Sequence, residues 1–135
     1  MLDAMTEHAK GTFTIDGWDQ ETFDEAEGAT LAQATVSKTF TGDLAGTSST
    51  RILMCTTQVE TSAAYVGLER FSGTVGGRAG TFVLHHSATA DSGEQSLYWA
   101  IVPESGTGEL RTIHGAGQII VDADGGHAYT LEYTI

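Results

Sequence analysis

Glu69 and His86 are the ionisable side chains whose type and spacing best suit them to chemistry in this sequence. Successive side chains on a strand point to opposite faces. In the run from Ala63 to Phe71, this period puts Tyr65, Gly67, Glu69 and Phe71 on one face, with Val66, Leu68 and Arg70 on the other. The period alone does not choose between them. The first face is assigned to the interior because Arg70 is harder to bury than Glu69 around an apolar ligand. In the run from Gly80 to Ala90, Phe82, Leu84 and His86 share a face that reads as interior. A carboxyl group among apolar walls suits general acid or base work near neutrality, and an imidazole beside it supplies the complementary proton donor or acceptor. The same residues also admit a purely structural reading. Glu69 would then form an internal ion pair or bond a tyrosine, and His86 would be a core histidine with its hydrogen bonds met.

The same alternation supplies the walls. Leu97, Trp99 and Ile101 share a face, as do Tyr129, Leu131 and Tyr133, and Ile52, Met54 and Thr56 are placed inward against Arg51, Leu53 and Cys55. The expected substrate-contacting set is Tyr65, Phe71, Met54, Phe82, Leu84, Trp99, Ile101, Tyr129, Leu131 and Tyr133. Other chemistries fit poorly. His85 and His86 are adjacent on a strand and point apart, and His8, His114 and His127 lie in distant segments, so no metal site is expected. Gly73–Gly80 and Ser105–Gly108 are glycine-rich but open no helix, which reads as hairpin turns at a rim rather than a phosphate cradle. Cys55 has no histidine motif near it and the chain has no G-x-S-x-G elbow, so a covalent nucleophile is not expected. Trp18 and Trp99 read as core or plug residues. No cofactor is expected.

The elements that must position these residues are strands. The chain has 135 residues, 40% of them hydrophobic, with 17 glycines and one proline, a balance that suits one domain of short strands and glycine turns. Eight strands are predicted: Gly11–Asp16, Leu31–Phe40, Thr47–Gln58, Ala63–Phe71, Gly80–Ala90, Gln95–Val102, Ile113–Val121 and His127–Ile135. Residues 1–9 read as a polar leader and 10–135 as the domain, and Asp19 to Glu27, with five carboxylates, as a solvated loop or helical turn. Eight evenly spaced strands predict an all-β, antiparallel up-and-down barrel with a central cavity, closure removing exposed sheet edges. Six basic against eighteen acidic residues, a net charge of −12, argues against nucleic acid or an anionic membrane as partner. The lone Cys55 excludes an internal disulfide, no run is long and apolar enough for a membrane helix, and Met1 to Lys10 lacks a secretory pattern. A cytoplasmic protein is expected, with a homo-oligomer compatible with an exterior rich in Val, Leu and Ile.

The segments Tyr65–Thr74 and Gly77–Ser87, followed by Val102–Leu110, together with Gly11–Thr12–Phe13 through Trp18–Asp19 and Ser37–Phe40 through Gly42–Gly46, resemble a bacterial family of unknown-function proteins with an allene-oxide-cyclase-like barrel. The resemblance covers nearly the whole chain; Thr112 and His114 depart from it, in a stretch, Gly108–Gly115, expected at the barrel mouth. It implies an eight-stranded barrel with a lipocalin-like cavity, related to cyclases that fold hydrophobic polyketide or oxidised-lipid substrates. The expectation is therefore a cofactor-independent cyclase or isomerase in which Glu69 and His86 move protons. The alternatives are a non-catalytic barrel that binds a hydrophobic small molecule, and a structural module with a filled lumen.

Overall fold

The structure, a computed structural model, describes residues 5–135. Its strands follow one another around the molecule: β1 (Glu7–Ala26), β2 (Ala29–Gly42), β3 (Leu44–Thr57), β4 (Ala63–Val75), β5 (Arg78–Asp91), β6 (Glu94–Ile101), β7 (His114–Val121) and β8 (His127–Thr134). Each pairs antiparallel with the next and β8 returns to β1, closing an eight-stranded barrel. There is no α-helix among the described residues, only a 3-10 turn at Gly108–Leu110. The alternation in sequence is realised physically. Along β2, Ala32, Ala34, Val36, Lys38 and Phe40 are buried, while Thr35, Ser37 and Thr39 face solvent. Three hairpins, β1–β2, β4–β5 and β5–β6, turn through only two residues. Gly76 and Gly77 join β4 to β5 with φ of 56° and 87°, the left-handed pair that a two-residue turn demands and that glycine adopts without strain.

The two ends differ. At one end the β2–β3 and β4–β5 turns and the β6–β7 link converge over Phe40, Leu44, Phe71, Val75, Phe82, Leu110 and Ile113, a packed core. The Tyr129 hydroxyl ties this end together, accepting the Leu44 N–H at 2.8 Å and donating to the Thr41 carbonyl at 3.0 Å. Gly108–Gly115, expected at the mouth, therefore lies at the sealed end, where the 3-10 turn buries Leu110. At the other end the strands splay. β6 and β7 pair only at Trp99–Gly117 and Ala100–Ala116, and β1 leaves β8 after Phe13–His127.

Several boundaries differ from the sequence reading, for one reason. Strands here extend into polar segments that carry no apolar alternation. β1 begins at Glu7 and buries Ala9, so the end of the expected leader is barrel wall; residues 1–4 lie outside the described residues. The acidic stretch from Asp19 is no loop. It is β1 as far as Ala26, paired to β2 alone, with irregularities between Ile15 and Gly17 and between Thr22 and Asp24. Because water reaches both its faces and its outer edge, its carboxylates need no burial, and charge on an unpaired edge opposes pairing with another chain.

Candidate ligand-binding cavity

The splayed half of the barrel encloses a cavity of about 540 Å³. Its walls are mainly apolar, with Phe13, Val36, Ile52, Met54, Leu97 and Ile119 among them. Solvent-exposed Thr56, Gln95, Ser96 and Val121 line it near the β3–β4, β5–β6 and β7–β8 hairpins, so the mouth is at that end. A concave, apolar space of this size bearing a few convergent polar groups is the usual form of a small-molecule site.

Those polar groups form a belt across five neighbouring strands. Register sets Lys38 of β2 opposite Ser48 of β3, Thr50 of β3 opposite Glu69 of β4, and His86 of β5 opposite Trp99 of β6. Glu69 is fully buried at the centre of the belt. Its Oε2 accepts from Ser48 Oγ at 2.7 Å, and its Oε1 accepts from Trp99 Nε1 at 3.1 Å. The Lys38 ammonium lies 3.3 Å from both carboxylate oxygens, making a buried ion pair. The same ammonium sits 4.8 Å from the Phe13 ring centre, a favourable cation–π placement. With three donors on it, Glu69 has most of its hydrogen-bonding capacity met from inside the protein.

His86 is in the opposite condition. It is 6% exposed, and neither ring nitrogen has a hydrogen-bond partner; Nε2 stands 3.9 Å from Glu69 Oε1, too far for a bond. Burial, reinforced by the Lys38 charge and opposed by Glu69, pushes its pKa down to about 4, so the imidazole is neutral at physiological pH. Gly67 stands opposite His86 on β4, and a methyl group there would come within 2.5 Å of the Arg51 carbonyl oxygen and 2.6 Å of Ile52 Cγ2. Thr50 Oγ1 is also buried without a partner. These three atoms are the only buried, unpaired side-chain polar atoms among the described residues, and both residues line the cavity. Leaving a buried polar atom unpaired costs about 1–3 kcal/mol. Tyr65, also on the wall with its ring centre 5.3 Å from that of His86, keeps its hydroxyl proton, since burial and then Glu69 push its pKa up to about 12.

Of the residues expected to do chemistry, the structure puts His86 on the cavity and Glu69 beneath its floor. Of the expected contact residues, Met54 and Tyr65 line the cavity. Phe71, Phe82, Leu84, Trp99, Ile101, Tyr129, Leu131 and Tyr133 all point inward but fill the sealed half as core. Alternation reveals which face a side chain takes, not how deep along the barrel it lies. Trp18 is half exposed at the mouth rather than core or plug, and its Nε1 donates to Gln20. Sequence reasoning missed Lys38, Ser48 and Thr50. A signal for Lys38 was present, since it shares the strand face of Ala34, Val36 and Phe40. Among the described residues, no three His, Cys, Asp or Glu side chains come together as metal ligands, and no helix is long and apolar enough to cross a membrane.

The fold and cavity define a closed antiparallel barrel with one sealed end, one open end and a polar belt between them. The chain belongs to the DUF3224 family of proteins of unknown function, whose family model matches residues 9–133. It is similar to the crystal structure of a DUF3224 protein of unknown function from Shewanella oneidensis MR-1. The two are 29% identical, with 97% of this chain and 98% of that one covered and a TM-score of 0.83. No curated protein matches the chain.

Proposed function

We propose that this protein binds a small hydrophobic molecule that carries a polar end, with the apolar part against the barrel walls and the polar end at the belt. The observation that carries this reading is the convergence on one open apolar cavity of three buried polar atoms that lack partners, two on His86 and one on Thr50. Burying such atoms is costly unless something bonds them, and a ligand reaching the floor would do so. The resemblance to allene-oxide-cyclase-like barrels points the same way, because those barrels enclose hydrophobic substrates.

A cofactor-independent cyclase or isomerase is the second reading, and one observation favours it. His86 faces the cavity as a neutral imidazole with free nitrogens, so it can take up a proton, as a base weaker than a free histidine. Glu69 would then act as a positioning residue, since its oxygens are held by Ser48, Lys38 and Trp99.

Nile red, a neutral apolar dye, should brighten in the wild-type cavity. Ala88→Trp places an indole on the cavity wall opposite Leu97 and should weaken that response by about tenfold or more while the protein stays folded by circular dichroism. Equal dye binding by a folded Ala88→Trp variant would place the dye elsewhere and defeat the reading.

A further inference from the structure

We infer that Glu69 sets the ligand class: as the built-in counterion of Lys38 it makes the cavity floor electrically neutral, so the site takes a neutral hydroxyl- or carbonyl-bearing hydrophobe and rejects its carboxylate counterpart. The inference rests on the ligand-binding reading and goes further, to the chemistry of the polar end.

Among the described residues, Lys38 is the only lysine or arginine lining the cavity, and a fatty carboxylate entering from the mouth would seek it. Both oxygens of Glu69 already lie 3.3 Å from that ammonium, approached from beneath the floor. A second carboxylate would share one cation with a fully buried anion, and the like charges would repel where little water screens them. His86 supplies no compensating charge, being neutral at physiological pH. The burial of an extra anion without a free counter-charge is strongly disfavoured.

A neutral polar end meets a different situation. A neutral imidazole presents one donor and one acceptor nitrogen, and a threonine hydroxyl can do either. His86 and Thr50 therefore offer a donor and acceptors with no partners inside the protein. An alcohol, a phenol or a hydroxy-ketone can bond both without bringing charge into the barrel. Ser48 and Trp99 do not compete for it, because each is engaged with Glu69.

The test compares 1-decanol with decanoate, matched in chain length, by displacement of Nile red at about pH 8, where decanoate is ionised. In the wild type, decanol should bind about tenfold or more tightly than decanoate. In Glu69→Gln, whose amide oxygen can still accept from Trp99 Nε1 while its N–H donates to the Ser48 hydroxyl, Lys38 is freed and the preference should shift toward decanoate by at least the same factor. The doubly neutral Lys38→Gln/Glu69→Gln variant should favour decanol again. Decanoate binding the wild type as well as decanol overturns the inference and leaves the ligand-binding reading standing, as does a folded Glu69→Gln with unchanged preference. If neither probe displaces the dye from any variant, the ligand-binding reading itself is wrong. The wild-type comparison decides the matter even if Glu69→Gln does not fold.

Discussion

Lys38→Met is expected to lower the stability of the barrel by about 3–5 kcal/mol, the cost of leaving a buried charge without its partner. The fully buried Glu69 carboxylate would keep Ser48 and Trp99 as donors but lose the ammonium that neutralises it. The ion pair is not itself a large source of stability, because removing two charges from water offsets most of their attraction. Lys38→Met/Glu69→Gln should therefore regain most of the loss. Urea unfolding of the two variants checks this. A single variant within about 1 kcal/mol of wild type would mean that Glu69 does not depend on Lys38. The effect also has a local signature. Burial lowers the His86 pKa most, Lys38 lowers it further and Glu69 raises it, so deleting Lys38 should move His86 upward, visible in an NMR titration.

Acidification is the second large lever. The His86 pKa is pushed from 6.5 down to about 4 in the folded barrel. Between those values the unfolded chain binds a proton that the folded chain does not, so stability falls as pH drops from about 6.5 to about 4 and then levels off for this group. The full contribution is on the order of 3 kcal/mol at the acid end of the window and absent above it. His86→Leu should flatten the stability profile between pH 6.5 and about 4. A wild-type profile that is flat across this window, measured by urea unfolding at a series of pH values, would mean the imidazole is not buried neutral.

The fold was readable because an antiparallel barrel with one packed face writes its register into the sequence. Alternation put Tyr65, Glu69 and Phe71 on one face, which the cost of burying Arg70 then assigned inward, and it grouped Tyr129, Leu131 and Tyr133 likewise. Three things were hidden, each for a physical reason. The depth of a side chain along the barrel leaves no periodic trace, so core Phe82 and cavity-lining Met54 looked alike. The distal half of β1 is wet on both faces, so Asp19 to Ala26 shows no burial pattern and resembles a loop. Lys38 was masked by the general expectation that lysine faces solvent, and only its partner, 31 residues away on another strand, makes its burial tolerable. Glu69 stood out in sequence for the right reason, an acid on an inward face. Its surroundings, which sequence does not display, make it a counterion with its bonds satisfied.

The imidazole nitrogen NMR shifts of His86 near pH 7, recorded with and without saturating 1-decanol, report whether the buried ring is neutral and whether a ligand bonds it. The ring is expected to be neutral in the free protein, with both nitrogen shifts moving when decanol binds while those of exposed His114 stay in place. A His86 ring that is charged in the free protein, or unmoved while decanol occupies the barrel, would contradict this expectation.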